Sequence, residues 1–223
     1  MKKLNKGLFI ALEGGEGCGK TTMAKKLEKY LSDQGYDAIY SREPGSSKAG
    51  EEIRHAMLYH DNDPITDLFL VSAARRLNCV ENILPALKEN KIVICDRFTD
   101  STHVYQGWVN NIPSNIIHSC NDIATDRKYP DITIILDVNP ELGLERAAKD
   151  GHERNKNDVK DIKFYRAVCT GYRTLSHVMG VDGDDSNYSN PRYLIDGSRS
   201  VNSVFADIVT IVERHIKKRE ANQ

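Results

Sequence analysis

The stretch Gly14-Gly15-Glu16-Gly17-Cys18-Gly19-Lys20-Thr21 fits the pattern G-x-x-x-x-G-K-[ST] and decides the fold. The apolar run Leu8–Leu12 precedes it and a helical stripe, Thr22–Leu31, follows it. Glycines let successive backbone N–H groups point into one concavity in front of a helix N-terminus, which favours a polyphosphate. We expect all eight residues to line a nucleoside triphosphate, with Lys20 reaching the β- and γ-phosphates and Thr21 binding Mg²⁺. The pattern leaves the reaction itself open.

Short apolar runs recur along the rest of the chain and alternate with helical patterns. The runs are Leu8–Leu12, Ala38–Tyr40, Ile92–Cys95, Ile132–Leu136 and Tyr193–Ile195. The helical patterns are Thr22–Leu31, Asp67–Leu84 followed by Pro85, the segment that begins at Pro140, and Val201–Ile216. Continuous apolar strands separated by helices predict an α/β fold, with a five-stranded parallel sheet covered by helices on both faces. We interpret residues 1–223 as one domain.

Composition and charge exclude several classes of protein. The 223 residues carry 31 Lys and Arg against 32 Asp and Glu, a net charge of −1, which argues against binding duplex nucleic acid through bulk positive charge. No apolar run approaches the ~20 residues that span a bilayer, and no signal-peptide core is present. The five cysteines are widely spaced, so neither a disulfide framework nor a zinc site is predicted. We expect a cytoplasmic protein without a membrane partner.

Charged residues follow two of the predicted strands. Asp96-Arg97 comes after Ile92–Cys95, and Arg42-Glu43-Pro44-Gly45 comes after Ala38–Tyr40. Ligands of open α/β sheets bind at the carboxyl ends of strands. Asp96 is therefore a candidate for holding Mg²⁺ through water, and Arg97 and Arg42 are candidates for a second phosphate. A surface ion pair and a plain turn are the alternatives.

Three further groups of residues are candidates with an alternative reading each. Arg75 and Arg76 interrupt an apolar helix, so one of them faces a site or both lie on the surface. The run Ser101–Gly107 offers groups for a base and a sugar, or is a polar helix start. The polar stretch 149–161 carries Arg154, Lys156 and Lys160, which suit a short mobile lid or a solvated loop.

Taken in order, these segments resemble thymidylate kinases over nearly the whole chain. The segments that carry the resemblance are FIALEGGEGCGKTT (Phe9–Thr22), SREPGSSKAGEEIR (Ser41–Arg54), AAR ending at Arg75, PAL (Pro85–Leu87), CDRFTDSTHVYQG (Cys95–Gly107) and PDITIILDVNPELGLERA (Pro130–Ala147). The pair Asp96-Arg97 and the run Tyr105-Gln106-Gly107 are the specific parts, because the phosphate loop occurs in many other families.

The resemblance implies a P-loop kinase that converts ATP and dTMP into ADP and dTDP, for dTTP synthesis. It implies that Lys20 and Thr21 hold ATP and Mg²⁺, and that Asp96 and Glu13 organise the metal and its waters. It places Arg42 and Arg97 on the dTMP phosphate and Arg75 on the thymine base. Ser101, Thr102, Tyr105 and Gln106 would line the base and sugar pocket. A homodimer packed through apolar helix faces is also implied.

Two positions depart from the family pattern. The base-stacking Phe of the family corresponds to Val71, so Phe69 is the candidate that replaces it. The phosphate loop holds Cys18 and no Arg, so the lid should supply the catalytic cation, from Arg154 first and Lys156 second. The alternatives are another nucleoside monophosphate kinase of the UMP or AMP type, a nucleoside kinase, and a non-catalytic P-loop switch that binds ATP.

Overall fold

The fold is built on one parallel sheet, and a computed structural model describes residues 2, 4–149, 160–177 and 190–221. The strands lie in the order β2-β3-β1-β4-β5. Their bounds are β1 Leu8–Gly14, β2 Ala38–Arg42, β3 Ile92–Asp96, β4 Ile132–Asp137 and β5 Arg192–Asp196. Neighbouring strands are all parallel. The predicted five-stranded α/β fold is therefore confirmed, and the loop after β1 lies where the strand order reverses, the usual ligand position.

Helices connect the strands and cover both faces of the sheet. They are α1 Lys20–Asp33, α2 Lys48–Tyr59, α3 Pro64–Asn78, α4 Leu84–Lys88, α5 Thr99–Thr102, α6 Ser114–Thr125, α7 Pro140–Lys149, α8 Ile162–His177 and α9 Val201–Ala221. Cys79–Ile83 and His103–Val109 are π-helical segments. Among the residues that the structure describes, no helix combines the length and the apolar character needed to cross a membrane.

The strand side chains alternate between two separate apolar layers. Ile10 and Leu12 of β1 pack with α1 and α9, whereas Phe9 and Ala11 pack toward the segment that ends in α4. Each buried aliphatic side chain contributes about 1.5–3 kcal/mol relative to an exposed one. Because the period of a strand is two, consecutive residues at the end of β1 must also point into different layers.

The helical pattern predicted over Asp67–Leu84 extends beyond both of its expected ends. Asp63 caps α3, since its Oδ1 accepts from the backbone N–H groups of Ile65 at 2.9 Å and Thr66 at 3.1 Å. Pro85 does not stop the helix. The π-helical segment re-starts the hydrogen-bond register, so Pro85 lies in the first turn of α4, where its missing N–H costs little.

Candidate functional site

The phosphate loop between β1 and α1 has the backbone that its glycines allow. Gly14, Gly17 and Gly19 have φ angles of 141°, 63° and 91°, values that side chains rarely tolerate. A Cβ on Gly17 would lie 1.8 Å from the carbonyl oxygen of Gly143 on α7. The loop is therefore pressed against the backbone of a helix that is distant in sequence.

Lys20 lies inside the loop as predicted. Its side chain is largely enclosed, and its Nζ donates to the carbonyl of Gly15 at 2.6 Å and lies 3.4 Å from Cys18 Sγ. Burial acts to lower the pKa of Lys20, but Cys18 and Asp96 act in the opposite direction and the pKa is raised overall. The ammonium group therefore remains charged where polyphosphate would bind.

Thr21 and Asp96 are brought together at the same edge of the sheet. Thr21 Oγ1, in the first turn of α1, donates to Asp96 Oδ2 at the end of β3 over 2.5 Å. A hydroxyl and a carboxylate are the oxygen ligands that Mg²⁺ prefers. These two residues therefore fit the magnesium site expected from the sequence.

Glu13, which the resemblance grouped with Asp96 at the magnesium site, points to the other face of the sheet. Asp96 pairs in register with Leu12, so both side chains share one face, and the next residue, Glu13, points to the other face. There its carboxylate accepts from the N–H of Phe98 at 2.7 Å and the hydroxyl of Ser101 at 2.7 Å. Burial, with help from nearby charge, raises its pKa to about 7. Glu13 organises protein groups and is not directed toward Thr21.

Arg97 follows β3 and extends its guanidinium along the phosphate loop. Its φ of 69° is left-handed, which is uncommon for a side chain other than glycine. Its Nη1 donates to Gly14 O at 3.3 Å, Ser101 Oγ at 3.4 Å and Tyr172 OH at 3.3 Å. Its Cζ lies 5.3 Å from the ring centroid of Tyr105. The predicted phosphate-binding and sugar-covering residues are therefore in contact.

Arg42 lies at the end of β2, and sequence reasoning missed a second arginine beside it. Arg42 Nη2 binds both carboxylate oxygens of Glu51 at 2.8 Å. Arg54 on α2 donates to the carbonyl of Pro44 at 3.1 Å, and its pKa is lowered by burial and by the charge of Arg42. Arg54 is the last residue of the segment Ser41–Arg54, one of the segments that carry the family resemblance, so the sequence did offer a signal for it. An anion bound here would meet more than one guanidinium.

Arg75 is fully buried and hydrogen-bonded on every nitrogen. Its Nε donates to Glu43 Oε2 at 2.7 Å, its Nη1 to Thr102 Oγ1 at 2.8 Å and Asn121 Oδ1 at 2.6 Å, and its Nη2 to the carbonyl of Phe98 at 2.9 Å. Burial acts to lower the pKa of Arg75, and the Glu43 carboxylate more than offsets this effect. Of the two alternatives for Arg75 and Arg76, the structure therefore shows an inward arginine, which is paired.

The neighbours of Arg75 on α3 show which residues can reach the pocket. Val71 is buried on the same face, one turn earlier. Phe69 is 63% exposed and Arg76 pairs with Asp126 at 2.8 Å on the surface. Two residues turn a helix by about 200°. Phe69 therefore points away from the pocket, and its predicted replacement of the stacking ring needs correction.

The segment Ser101–Gly107 forms the wall between Arg75 and Arg97. Ser101, Thr102 and Gln106 are buried, and the ring of Tyr105 lies 6.1 Å from the ring of Phe164 on α8. Tyr172, also on α8, contacts Ser101 of the same wall. Its place in a helical pattern did not indicate from the sequence that it belongs to the site. Asn121 likewise carries no motif. Both contacts depend on how distant helices pack.

Of the three cationic residues predicted in the lid, only Lys160 belongs to the part of the chain that the structure describes. Arg154 and Lys156 lie outside the described residues, and their predicted catalytic role stays a prediction. Lys160 is described, and its Nζ lies 5.9 Å from the ring centroid of Phe164.

Comparison with known proteins agrees with this geometry. The family model described as Thymidylate kinase matches residues 12–182. The chain is 40% identical over 209 residues to the thymidylate kinase of Clostridium novyi (strain NT), covering 92% of this chain and 98% of that one. It is 38% identical over 218 residues to that of Geobacillus sp. (strain WCH70), covering 96% and 100%. A crystal structure of thymidylate kinase from Ehrlichia chaffeensis matches with a TM-score of 0.71 and 30% identity, covering 93% of this chain and 99% of that one. These matches, together with the geometry of the phosphate loop, show that the chain belongs to the thymidylate kinase family.

Proposed function

We propose that this chain transfers the γ-phosphoryl group of ATP to the phosphate of dTMP, which gives ADP and dTDP. The observation that carries the proposal is the contact of Arg97 with the phosphate loop, where its Nη1 lies 3.3 Å from Gly14 O. A guanidinium at this position suits an acceptor that already carries phosphate. A nucleoside kinase would instead use a free carboxylate base, and Glu13 is engaged by protein donors.

Catalysis in this proposal consists of positioning and charge neutralisation. The loop N–H groups and Lys20 hold the ATP phosphates, while Arg97, Arg42 and Arg54 hold the dTMP phosphate. The attacking atom is already a phosphate oxygen, so a strong general base is unnecessary. Mg²⁺, held by Thr21 and Asp96, supplies further neutralisation of the phosphate charge when it is bound.

The nucleoside part of dTMP is assigned to the wall beside Arg75. Among the residues that the structure describes, the partners of this guanidinium take up four of its five N–H donors, and we assign the fifth to a thymine carbonyl. Thr102 and Gln106 line the base, Ser101 supports the wall, and Tyr105 covers the deoxyribose. Because the phosphate loop lacks an Arg, we assign the missing cation to the lid, to Arg154 and then Lys156.

A homodimer is supported by an apolar face on two neighbouring helices. α3 and α6 pack together, and their outward sides expose Ile65, Phe69, Ile116 and Ile123, the last by 76%. Adjacent exposed apolar side chains of this kind mark protein interfaces. Ile123→Glu should convert a dimer to a monomer in analytical ultracentrifugation, whereas Val201→Glu on α9 should not. Five free thiols are consistent with a cytoplasmic enzyme.

The test of the proposed reaction is ADP formation with ATP, Mg²⁺ and one acceptor at a time. The acceptors are dTMP, dUMP, UMP, AMP and thymidine. We expect turnover with dTMP to exceed that with every other acceptor. Preferred turnover on UMP or AMP would show another nucleoside monophosphate kinase, and preferred turnover on thymidine a nucleoside kinase. ATP binding without turnover would indicate a switch and would refute the catalytic role of Arg97.

A further inference from the structure

The hydroxyl groups of Ser101 and Tyr172 meet beside Arg97, and the reaction proposed above gives Tyr172 no role. Tyr172 on α8 is 2% exposed, and its hydroxyl lies 2.9 Å from Glu13 Oε2 and 2.8 Å from Ser101 Oγ. Ser101 Oγ also lies 2.7 Å from Glu13 Oε2. One carboxylate oxygen at the end of β1 therefore receives both hydroxyls, one from α5 and one from α8.

Each of these hydroxyl groups has one hydrogen to donate and oxygen lone pairs to accept with. Ser101 and Tyr172 either both donate to Glu13, or one of them donates to the other across 2.8 Å. In each arrangement a lone pair of both oxygens remains to accept from Arg97. Arg97 Nη1 indeed lies 3.4 Å from Ser101 Oγ and 3.3 Å from Tyr172 OH. The pair of hydroxyls therefore presents two acceptors to one guanidinium nitrogen.

Arg97 needs such support, because its backbone is left-handed and its side chain must be held at the edge of the phosphate loop. Backbone strain of this kind persists only where the surroundings hold it. We propose that Tyr172 is a positioning residue, whose hydroxyl, oriented by Glu13, sets the Arg97 guanidinium for the acceptor phosphate. This inference rests on the proposed role of Arg97 in dTMP binding.

The direct test is Tyr172→Phe, which removes the hydroxyl and keeps the ring. We expect the KM for dTMP to rise about three- to tenfold, the effect of losing one hydrogen bond of ordinary strength, because the contact with Arg97 is long. The KM for ATP should not change. The control is Tyr36→Phe, which removes a tyrosine hydroxyl that donates to Glu220 at 2.9 Å, away from the site, and should change neither constant. Ser101→Ala removes the other acceptor and should also raise the KM for dTMP.

A double-mutant cycle with Arg97→Met shows whether Tyr172 acts through Arg97. In the Arg97→Met background, Tyr172→Phe should have no further effect on the KM for dTMP, because the group that it positions is gone. An equal rise in both backgrounds, or no rise with Arg97 present, would overturn the inference. If Arg97→Met alone leaves both kcat and the KM for dTMP intact, the proposed role of Arg97 itself fails.

Discussion

The phosphate loop and the Arg75 pocket hold cations by opposite means. In the loop, Lys20 binds the carbonyl of Gly15, a partner five residues away in the chain. In the pocket, the partners of Arg75 lie between 23 and 46 residues away, on several elements. The loop is a local backbone conformation, whereas the pocket exists only when distant elements have packed.

This difference predicts that substitutions in the two regions separate activity from folding. Within the loop, a side chain can be removed without exposing a buried charge. In the pocket, the removal of a partner leaves a charge without compensation in the interior, which is costly. Loop variants should therefore fold and fail to react, and pocket variants should lose stability together with substrate binding.

Lys20→Met should have the largest effect on turnover. The ammonium group neutralises charge on the transferred phosphate, and the removal of such a group lowers kcat by about a thousandfold. The thermal midpoint should change little, since Met fills a similar volume. Steady-state kinetics and thermal unfolding on the same preparation measure both quantities. Retention of a tenth of the wild-type kcat would contradict the assignment of Lys20.

Glu43→Gln should have the largest effect on stability. Arg75 and Glu43 are both buried, so the substitution leaves the guanidinium charge without its counter-charge and costs roughly 3 kcal/mol of unfolding free energy. Glu51→Gln removes the partner of Arg42 in a half-exposed pair and should cost less than about 1 kcal/mol. Urea unfolding compares the two variants. Equal losses would show that the Arg75 pair is no more structural than a surface pair.

The sequence predicted the loop more completely than the pocket, for the same physical reason. Glycine conformations, the ammonium and the Mg²⁺ hydroxyl all follow from contiguous residues. That an arginine faces inward also follows from the apolar surroundings of Arg75. Its contacts with Glu43 and Asn121 do not follow, because they depend on how β2 and α6 pack against α3.

Simple periodicity argues against two of the predicted site residues. Phe69 was placed in the pocket, but a helix that buries Val71 and Arg75 must expose it. Glu13 was grouped with Asp96, but the alternation along β1 sends it to the opposite face. A shared motif identifies residues near a site, and the side to which each one points requires the geometry of its element.

Glu13→Gln should change how stability depends on pH. Burial raises the pKa of Glu13 from 4.5 to about 7, so the unfolded chain releases this proton at lower pH than the folded one. This group's contribution is therefore greatest below pH 4.5 and is lost as the pH rises through 7. Relative to Glu13→Gln, wild type should lose roughly 2.5 kcal/mol of unfolding free energy between pH 5 and pH 8.

Urea unfolding at both pH values measures the difference that Glu13 makes. The control is Glu141→Gln, whose exposed carboxylate has a pKa lowered by its hydrogen bond to Arg166. This carboxylate is ionised in both states above pH 5, so its difference from wild type should stay flat. A flat difference for Glu13→Gln as well would show that Glu13 titrates as an ordinary carboxyl.

Gly143→Ala tests a respect in which the phosphate loop resembles the pocket, namely its contact with the distant helix α7. A Cβ at Gly143 would lie 2.4 Å from the carbonyl oxygen of Glu16, so α7 or the loop must move. Ala favours the helix itself by about 1 kcal/mol, so folding should be retained. Displacement of the loop should raise the KM for ATP about tenfold, because misplaced phosphate donors bind poorly. Glu145→Ala on the same helix is the control and should leave the KM for ATP unchanged. An unchanged KM for ATP in Gly143→Ala would show that the loop holds its conformation without close contact with α7. Residues near in the chain would then be enough to hold it.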